Sequence, residues 1–263
     1  MASASRRAAR YFAFGGVGLT TAGLGQAAHL RMSYVCPEEP MGKLHGHAGP
    51  DLKGPPLRLL FVGDSVCIGV GAKIAGPLQS ACAERLAKLR KRPVEWSTVG
   101  ASGADVRELH ELFMARQKSD AASGKCGGFD LAVVFCGVND SKKLLQGRSP
   151  SVFREDLDAL CASLRKAAPE GHITVPSIAG YKYAPLLQLW PMRHFVDPFL
   201  EAFEAQKEVV AKSKLIYCIS PPPDSLPSSD DTRLWSSDGI HPSLEGYNII
   251  GDWLGTALAL AHA

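Results

Sequence analysis

The sequence predicts an α/β sandwich built on a parallel sheet, and three observations point to it. Apolar runs of strand length alternate with stretches of helical periodicity along the chain after residue 57. The run Asp130 to Cys136 is apolar throughout its length after the first residue, as expected of a strand covered by helices on both faces. Several of the runs end in glycine-bearing corners, which place polar side chains at the carboxyl end of the sheet, where proteins of this class hold their ligands. Parallel neighbours then require right-handed helical crossovers.

Taken in order, the chain begins with residues 1–35, which carry Arg6, Arg7, Arg10 and Arg31 and no acid. Tyr11 to Leu30 has no formally charged residue, about the length of a membrane-spanning helix, but glycines, two threonines and Gln26 dilute it. It is read as a targeting or membrane-anchor segment that associates with a membrane through residues 11–30. A cleaved secretory signal ending near Ala27-Ala28 and an organellar transit peptide are the alternatives. Residues 36–56, rich in Pro, Gly and His, read as a linker. His45-Gly46-His47 offers two imidazoles with no third ligand nearby, so no metal site is assigned.

The body, residues 57–263, opens on a strand at Leu57–Val62, bounded upstream by Pro55-Pro56 and followed by Gly63-Asp64-Ser65-Val66. A helix is predicted from Pro77 to about Arg90, with proline in its first turn and Leu78, Cys82, Leu86 and Leu89 on one face. Val94–Val99 reads as the second strand and ends in Gly100-Ala101-Ser102-Gly103. A helix from Ala104 to about Lys118 and a polar loop, 119–128, lead to the third strand, which ends in Gly137-Val138-Asn139-Asp140. Ser151 to Ala168 is the clearest helix, with the stripe Phe153, Leu157, Leu160, Cys161 and Leu164 and a stop at Pro169. The fourth strand is His172–Ile178. Residues 180–199 fit no regular pattern and are unusually apolar for a loop. A helix from about Pro198 to Ala211, a fifth strand at Lys214–Ser220 and a loop carrying Asp238-Gly239-Ile240-His241-Pro242 follow. The last helix starts at Ser243 with the stripe Tyr247, Ile250, Leu254 and Leu258.

Composition narrows the function. Hydrophobic residues make up 46% of the 263 residues, enough for a sizeable core. The net charge of +3 comes from the N-terminal arginines, since the other 25 basic residues face 26 acidic ones. A near-neutral body argues against nucleic acid as a partner. Seven cysteines with no C-x-x-C spacing suit reduced thiols. Cys67, two residues after Ser65, has no basic neighbour in sequence to activate it and reads as core.

Four short motifs lie after four different elements, and each supplies something ester hydrolysis needs. A serine nucleophile requires a base, and histidine serves near neutral pH. The histidine requires an acceptor on its other ring nitrogen, which an aspartate three residues earlier in one turn can provide. The oxyanion of the tetrahedral intermediate requires donors, such as a side-chain amide and backbone N–H groups at glycine turns. Singly, each motif has an ordinary structural meaning: Ser65 as a cap, Asn139 bonding its own turn, Gly100 serving tight geometry, Asp238 and His241 shaping a loop before a helix. Asp140 reads as structural, holding its loop.

Together, Gly63-Asp64-Ser65, Gly100, Gly137-x-Asn139-Asp140 and Asp238-x-x-His241 resemble the SGNH hydrolases, or GDSL-type esterases and lipases, over about residues 57–260. Val66 departs from the leucine common there, at a position that packs. The resemblance implies a three-layer sandwich with a five-stranded parallel, flavodoxin-like sheet of order 2-1-3-4-5. It implies Ser65 as nucleophile, His241 as base and Asp238 as its partner, with an oxyanion hole from the Ser65 and Gly100 N–H groups and the Asn139 amide. No metal or organic cofactor is implied. The expected activity is serine esterase through an acyl-enzyme, and the expected partner is a small-molecule or lipid ester. Tyr181, Tyr183, Leu186, Leu187, Leu189, Trp190, Met192 and Phe195 suggest an apolar wall or lid and hence acyl or lipid esters. A carbohydrate O-acetyl esterase, an acyltransferase and a catalytically inactive membrane-tethered binding protein are the alternatives.

Overall fold

The computed structural model describes residues 32–124, 128–177, 181, 183–191, 193–214, 216–220 and 230–261, with Gly23, Gly25, Gln26 and His29. In chain order its first elements are β1 (His45–Ala48), β2 (Leu57–Gly63), a short helix α1 (Ser65–Ile68), α2 (Pro77–Arg90) and β3 (Val94–Gly100). There follow α3 (Val106–Ala122), β4 (Leu131–Phe135), α4 (Val138–Lys142), α5 (Pro150–Ala167) and β5 (His172–Pro176). The chain ends with α6 (Arg193–Lys214), β6 (Tyr217–Ile219) and α7 (Leu244–Ala261).

The sheet has the order β1-β3-β2-β4-β5-β6. Strands β2 to β6 are parallel and follow the flavodoxin-like order the motifs implied, but a sixth strand, β1, adds to the edge of β3 in antiparallel sense. This corrects the reading of residues 36–56 as a linker. His45–Ala48 pairs with Val94–Ser97, and the carbonyl of Leu44 accepts from Thr98 N at 2.8 Å. The open edge of β3 recruits this short segment, which has no strand periodicity of its own.

Alternation along the central strands divides the core in two. Leu60 and Val62 of β2 and Ala132 and Val134 of β4 face α3, α5 and α6, meeting Leu109, Phe113, Phe153, Leu157 and Phe203. Leu59, Phe61, Leu131 and Val133 point the other way, onto Leu78, Cys82 and Leu86 of α2 and Tyr247, Leu254 and Leu258 of α7. Both faces of the strand are therefore apolar because both are covered. Burying a side chain of this size contributes about 1.5–3 kcal/mol.

Several boundaries shift from the sequence reading. Helix α3 runs on to Ala122, taking in residues assigned to a polar loop, because polar side chains face solvent without ending a helix. Helix α6 begins at Arg193 with Pro198 inside it, so the ring costs one ladder hydrogen bond rather than starting the helix. Among the described residues no helix is long and apolar enough to cross a membrane, and most of Tyr11–Leu30 lies outside them.

Candidate active site

The site forms where three parallel strands end side by side. Gly63 of β2 is in register with Gly100 of β3 and Phe135 of β4, so the three motifs that follow these strands share one rim of the sheet. A Cβ on Gly100 would collide with the carbonyl oxygen of Gly63, so this close approach excludes any side chain. Asp64 caps α1, its Oδ1 accepting from Val66 N at 3.1 Å, and this fixes Ser65 as the first residue of that turn.

Asn139 lies in α4 and is buried. Its amide donates to Asp64 Oδ2 at 3.1 Å and to the carbonyl of Ala104 at 3.0 Å. The amide thus ties the serine corner, the loop after β3 and the loop after β4 into one rim. Both amide hydrogens are engaged, so donation to a third acceptor requires sharing one of them. Asp140 Oδ1 accepts from Arg148 Nε at 2.6 Å and from Val106 N at 3.3 Å, an arrangement that holds its loop against α3. Burial pushes the carboxyl of Asp64 up from its ordinary value, against the pull of the Val66 N–H and Lys142. Lys142 Nζ lies 3.4 Å from Asn139 Oδ1, and crowding by the surrounding protein lowers its pKa.

The fourth motif arrives on a closed loop before α7. Trp235 and Pro242 bridge its ends, and Ser236 N donates to the carbonyl of His241 at 2.8 Å. Within it, Asp238 Oδ1 accepts from Ile240 N and His241 N at 3.0 Å each and from Ser236 Oγ at 2.7 Å. Asp238 Oδ2 is 2.6 Å from His241 Nδ1, and His241 Nε2 is 2.9 Å from Ser65 Oγ. Burial alone would raise the Asp238 carboxyl, but the bonds from His241, Ser236, the Ile240 N–H and Tyr34 outweigh it and hold the group far below the usual range. Seen from the other side, Gly71, at φ +95°, comes so close that a Cβ there would meet His241 Cβ at 3.0 Å and Pro242 O at 2.9 Å. Tyr247 Oη of α7 donates to the carbonyl of Val70 at 2.7 Å and fixes that backbone.

Ser65, His241 and Asp238 are thus joined in one hydrogen-bonded chain, with Gly100 and Asn139 on the same rim. An imidazole so placed can take a proton from Ser65 while Asp238 stabilises the resulting cation. Cys67 is buried, and its burial pushes the thiol well up, in keeping with a packing role. In the segment 180–199, Leu186 N donates to the Gly239 carbonyl at 3.0 Å, docking the segment on the Asp238 turn. Tyr183 and Leu187 pack against Leu234 and Trp235, whereas Leu189 and Trp190 stay exposed. Met192 and the side chain of Phe195 lie outside the described residues.

Sequence reasoning missed Ser236, Gly71 and Tyr34. Ser236 could have been found as a hydroxyl two residues before an aspartate in a turn. Nothing local marks Tyr34. Read as part of the targeting segment, it instead places its hydroxyl 2.7 Å from Asp238 Oδ2.

The model of the GDSL-like lipase/acylhydrolase family matches residues 61–249. No protein of curated function matches the chain. Among solved structures, the lipase/acylhydrolase from Enterococcus faecalis is similar at 16% identity and TM-score 0.56, over 78% of this chain and 96% of that one. The family 3 carbohydrate esterase of Clostridium thermocellum is similar at 19% identity and TM-score 0.53, over 78% of this chain and 100% of that one. Axe2, an acetylxylan esterase from Geobacillus stearothermophilus, is similar at 18% identity and TM-score 0.52, over 80% of this chain and 96% of that one. Such identities speak for a common fold, and the family model reaches from within β2, before the serine corner, past the histidine into α7. The chain belongs to the GDSL-like lipase/acylhydrolase family of ester hydrolases.

Proposed function

We propose that the protein is a serine esterase that cleaves acyl esters through a covalent acyl-enzyme. The observation that carries this reading is the unbroken relay from Ser65 Oγ to His241 Nε2 at 2.9 Å and from Nδ1 to Asp238 at 2.6 Å. Ser65 Oγ attacks the ester carbonyl carbon while Nε2 takes its proton. The N–H groups of Ser65 and Gly100 and a shared N–H of Asn139 receive the developing oxyanion. Collapse expels the alcohol, which takes the proton from the imidazolium, and water then releases the acyl group by the same steps. All of these steps use groups of this chain and water.

Exposed Leu189 and Trp190, next to the segment docked on the Asp238 turn, favour an apolar acyl chain. A short acyl group, as in O-acetyl sugars, is favoured instead by the use of Tyr183 and Leu187 for internal packing. The uncharged stretch Tyr11–Leu30, preceded by arginines, supports residence at a membrane, where acyl esters are concentrated. A fluorophosphonate probe should label wild-type protein and leave Ser65→Ala unlabelled. Turnover of a p-nitrophenyl ester series of rising chain length separates the two substrate classes. Equal turnover by the Ser65→Ala variant refutes the mechanism, and an unlabelled wild type points to a binding protein on this fold.

A further inference from the structure

Tyr34 lies before every element of the sheet, yet its hydroxyl donates to Asp238 Oδ2 at 2.7 Å. That oxygen is the one bonded by His241 Nδ1, and Tyr34 Oη is 3.4 Å from Nδ1 itself. The strap that carries Tyr34 is fastened to the body at successive points. The Met41 N–H donates to Lys73 O at 3.3 Å, and the Ala75 N–H donates to Met41 O at 2.9 Å. Leu44 and β1 are joined to β3. Between strap and body lies a cavity of about 560 Å³, walled by Tyr34, Val35 and Pro37 on one side and Leu186, Ser237 and Asp238 on the other.

We propose that Tyr34 is a positioning residue for ester hydrolysis, orienting the Asp238 carboxylate and sharing its charge with His241, so that the N-terminal strap is part of the active site. This rests on the reading of Ser65, His241 and Asp238 as a catalytic relay. The physical case is a shared acceptor. Two short donors on one carboxylate oxygen fix its plane and divide its negative charge, and a hydrogen bond to a charged group is among the stronger kinds. Burial, then the bond to Asp238, push the Tyr34 hydroxyl well above its ordinary value, so it stays a donor across the working pH range.

Without that hydroxyl, the undivided charge of Oδ2 faces Nδ1, but one of the bonds that hold the carboxylate plane against the imidazole is lost, and proton transfer from Ser65 is less well aligned. The other titratable groups around the relay are Asp64 at the serine corner, Lys142 of α4, Cys36 on the strap, Tyr181 of the docked segment and Tyr247 of α7, and of these Cys36 and Tyr181 also interact with the Tyr34 hydroxyl.

The test compares full-length wild type with Tyr34→Phe, which keeps the ring and removes the hydroxyl. The acidic limb of kcat/KM for a soluble p-nitrophenyl ester should move up in pH. The kcat should fall about three- to tenfold, with KM changing less. The imidazole of His241, titrated by NMR, should show the same upward displacement. A Tyr34→Phe protein with wild-type kcat, pH profile and His241 titration overturns the proposal and leaves Tyr34 a packing residue, even if Tyr34→Ala loses activity. If the wild type hydrolyses no ester, the functional reading fails separately, and the His241 titration still decides whether Tyr34 acts on the pair.

Discussion

Replacing Asp238 with Asn should disable the base while leaving the loop folded, because its two oxygens have different partners. Asp238 Oδ1 faces two backbone donors, Ile240 N and His241 N, whose hydrogens cannot turn away. The carbonyl of an introduced amide must therefore take that position, with Ser236 Oγ still able to donate to it. Its NH2 group then occupies the place of Oδ2, opposite His241 Nδ1, where it can only donate. Tyr34 can rotate its hydroxyl to accept, but the imidazole has one remedy: Nδ1 becomes the acceptor and the proton moves to Nε2. That proton points at Ser65 Oγ, and the nitrogen meant to receive the serine proton is already occupied. A wrong tautomer of this kind costs about 10⁴ in kcat, or about 5.5 kcal/mol of transition-state stabilisation. Steady-state kinetics on a p-nitrophenyl ester, with circular dichroism to confirm the fold, measures it. A folded Asp238→Asn variant within tenfold of wild-type kcat would refute the tautomer argument.

Three further outcomes follow from the same geometry. Asn139→Ala should lose about 10²–10³ in kcat, and because it also cuts the tie from Asp64 to Ala104, its melting temperature should fall as well. Gly71→Ala puts a methyl 2.9 Å from Pro242 O and 3.0 Å from His241 Cβ at a positive φ. It should cost about 1–3 kcal/mol by urea denaturation and reduce kcat by displacing His241, whereas undiminished activity would show that the loop yields freely. The folded pKa of Asp238 is depressed, so the stability it contributes is present above its unfolded value and is lost as the pH falls through the folded one. The stability gap between wild type and Asp238→Asn should therefore narrow as urea midpoints are followed from about pH 5 towards pH 2, and a gap independent of pH would contradict the sign.

How much of this was legible in the sequence depended on whether the signal was local. The central strands and Pro77–Arg90 declared themselves because apolar periodicity and flanking prolines are written within a dozen residues. Ser65, Asn139, Asp238 and His241 were legible through chemistry, since Ser65 and Asn139 follow the ends of β2 and β4 while Asp238 and His241 share one loop before α7. Strand β1 was not, because its pairing depends on an open edge that exists only after β3 is in place. Tyr34 was illegible for a stronger reason: the contact joins positions 204 residues apart, with no motif at the near end. The start of α6 was lost to Pro198, which usually begins a helix and here sits within one.

Strand β1 also bears on how the protein may be shortened. It occupies the outer hydrogen-bonding row of β3, and the sheet's opposite border, β6, is three residues long. A chain trimmed to residue 57, where the sequence pattern alone would cut it, would bare a seven-residue strand containing Trp96 to any neighbouring molecule with a matching edge. Self-association of such a fragment would come from a lost cover, and a trimmed form beginning before His45 should remain dispersed.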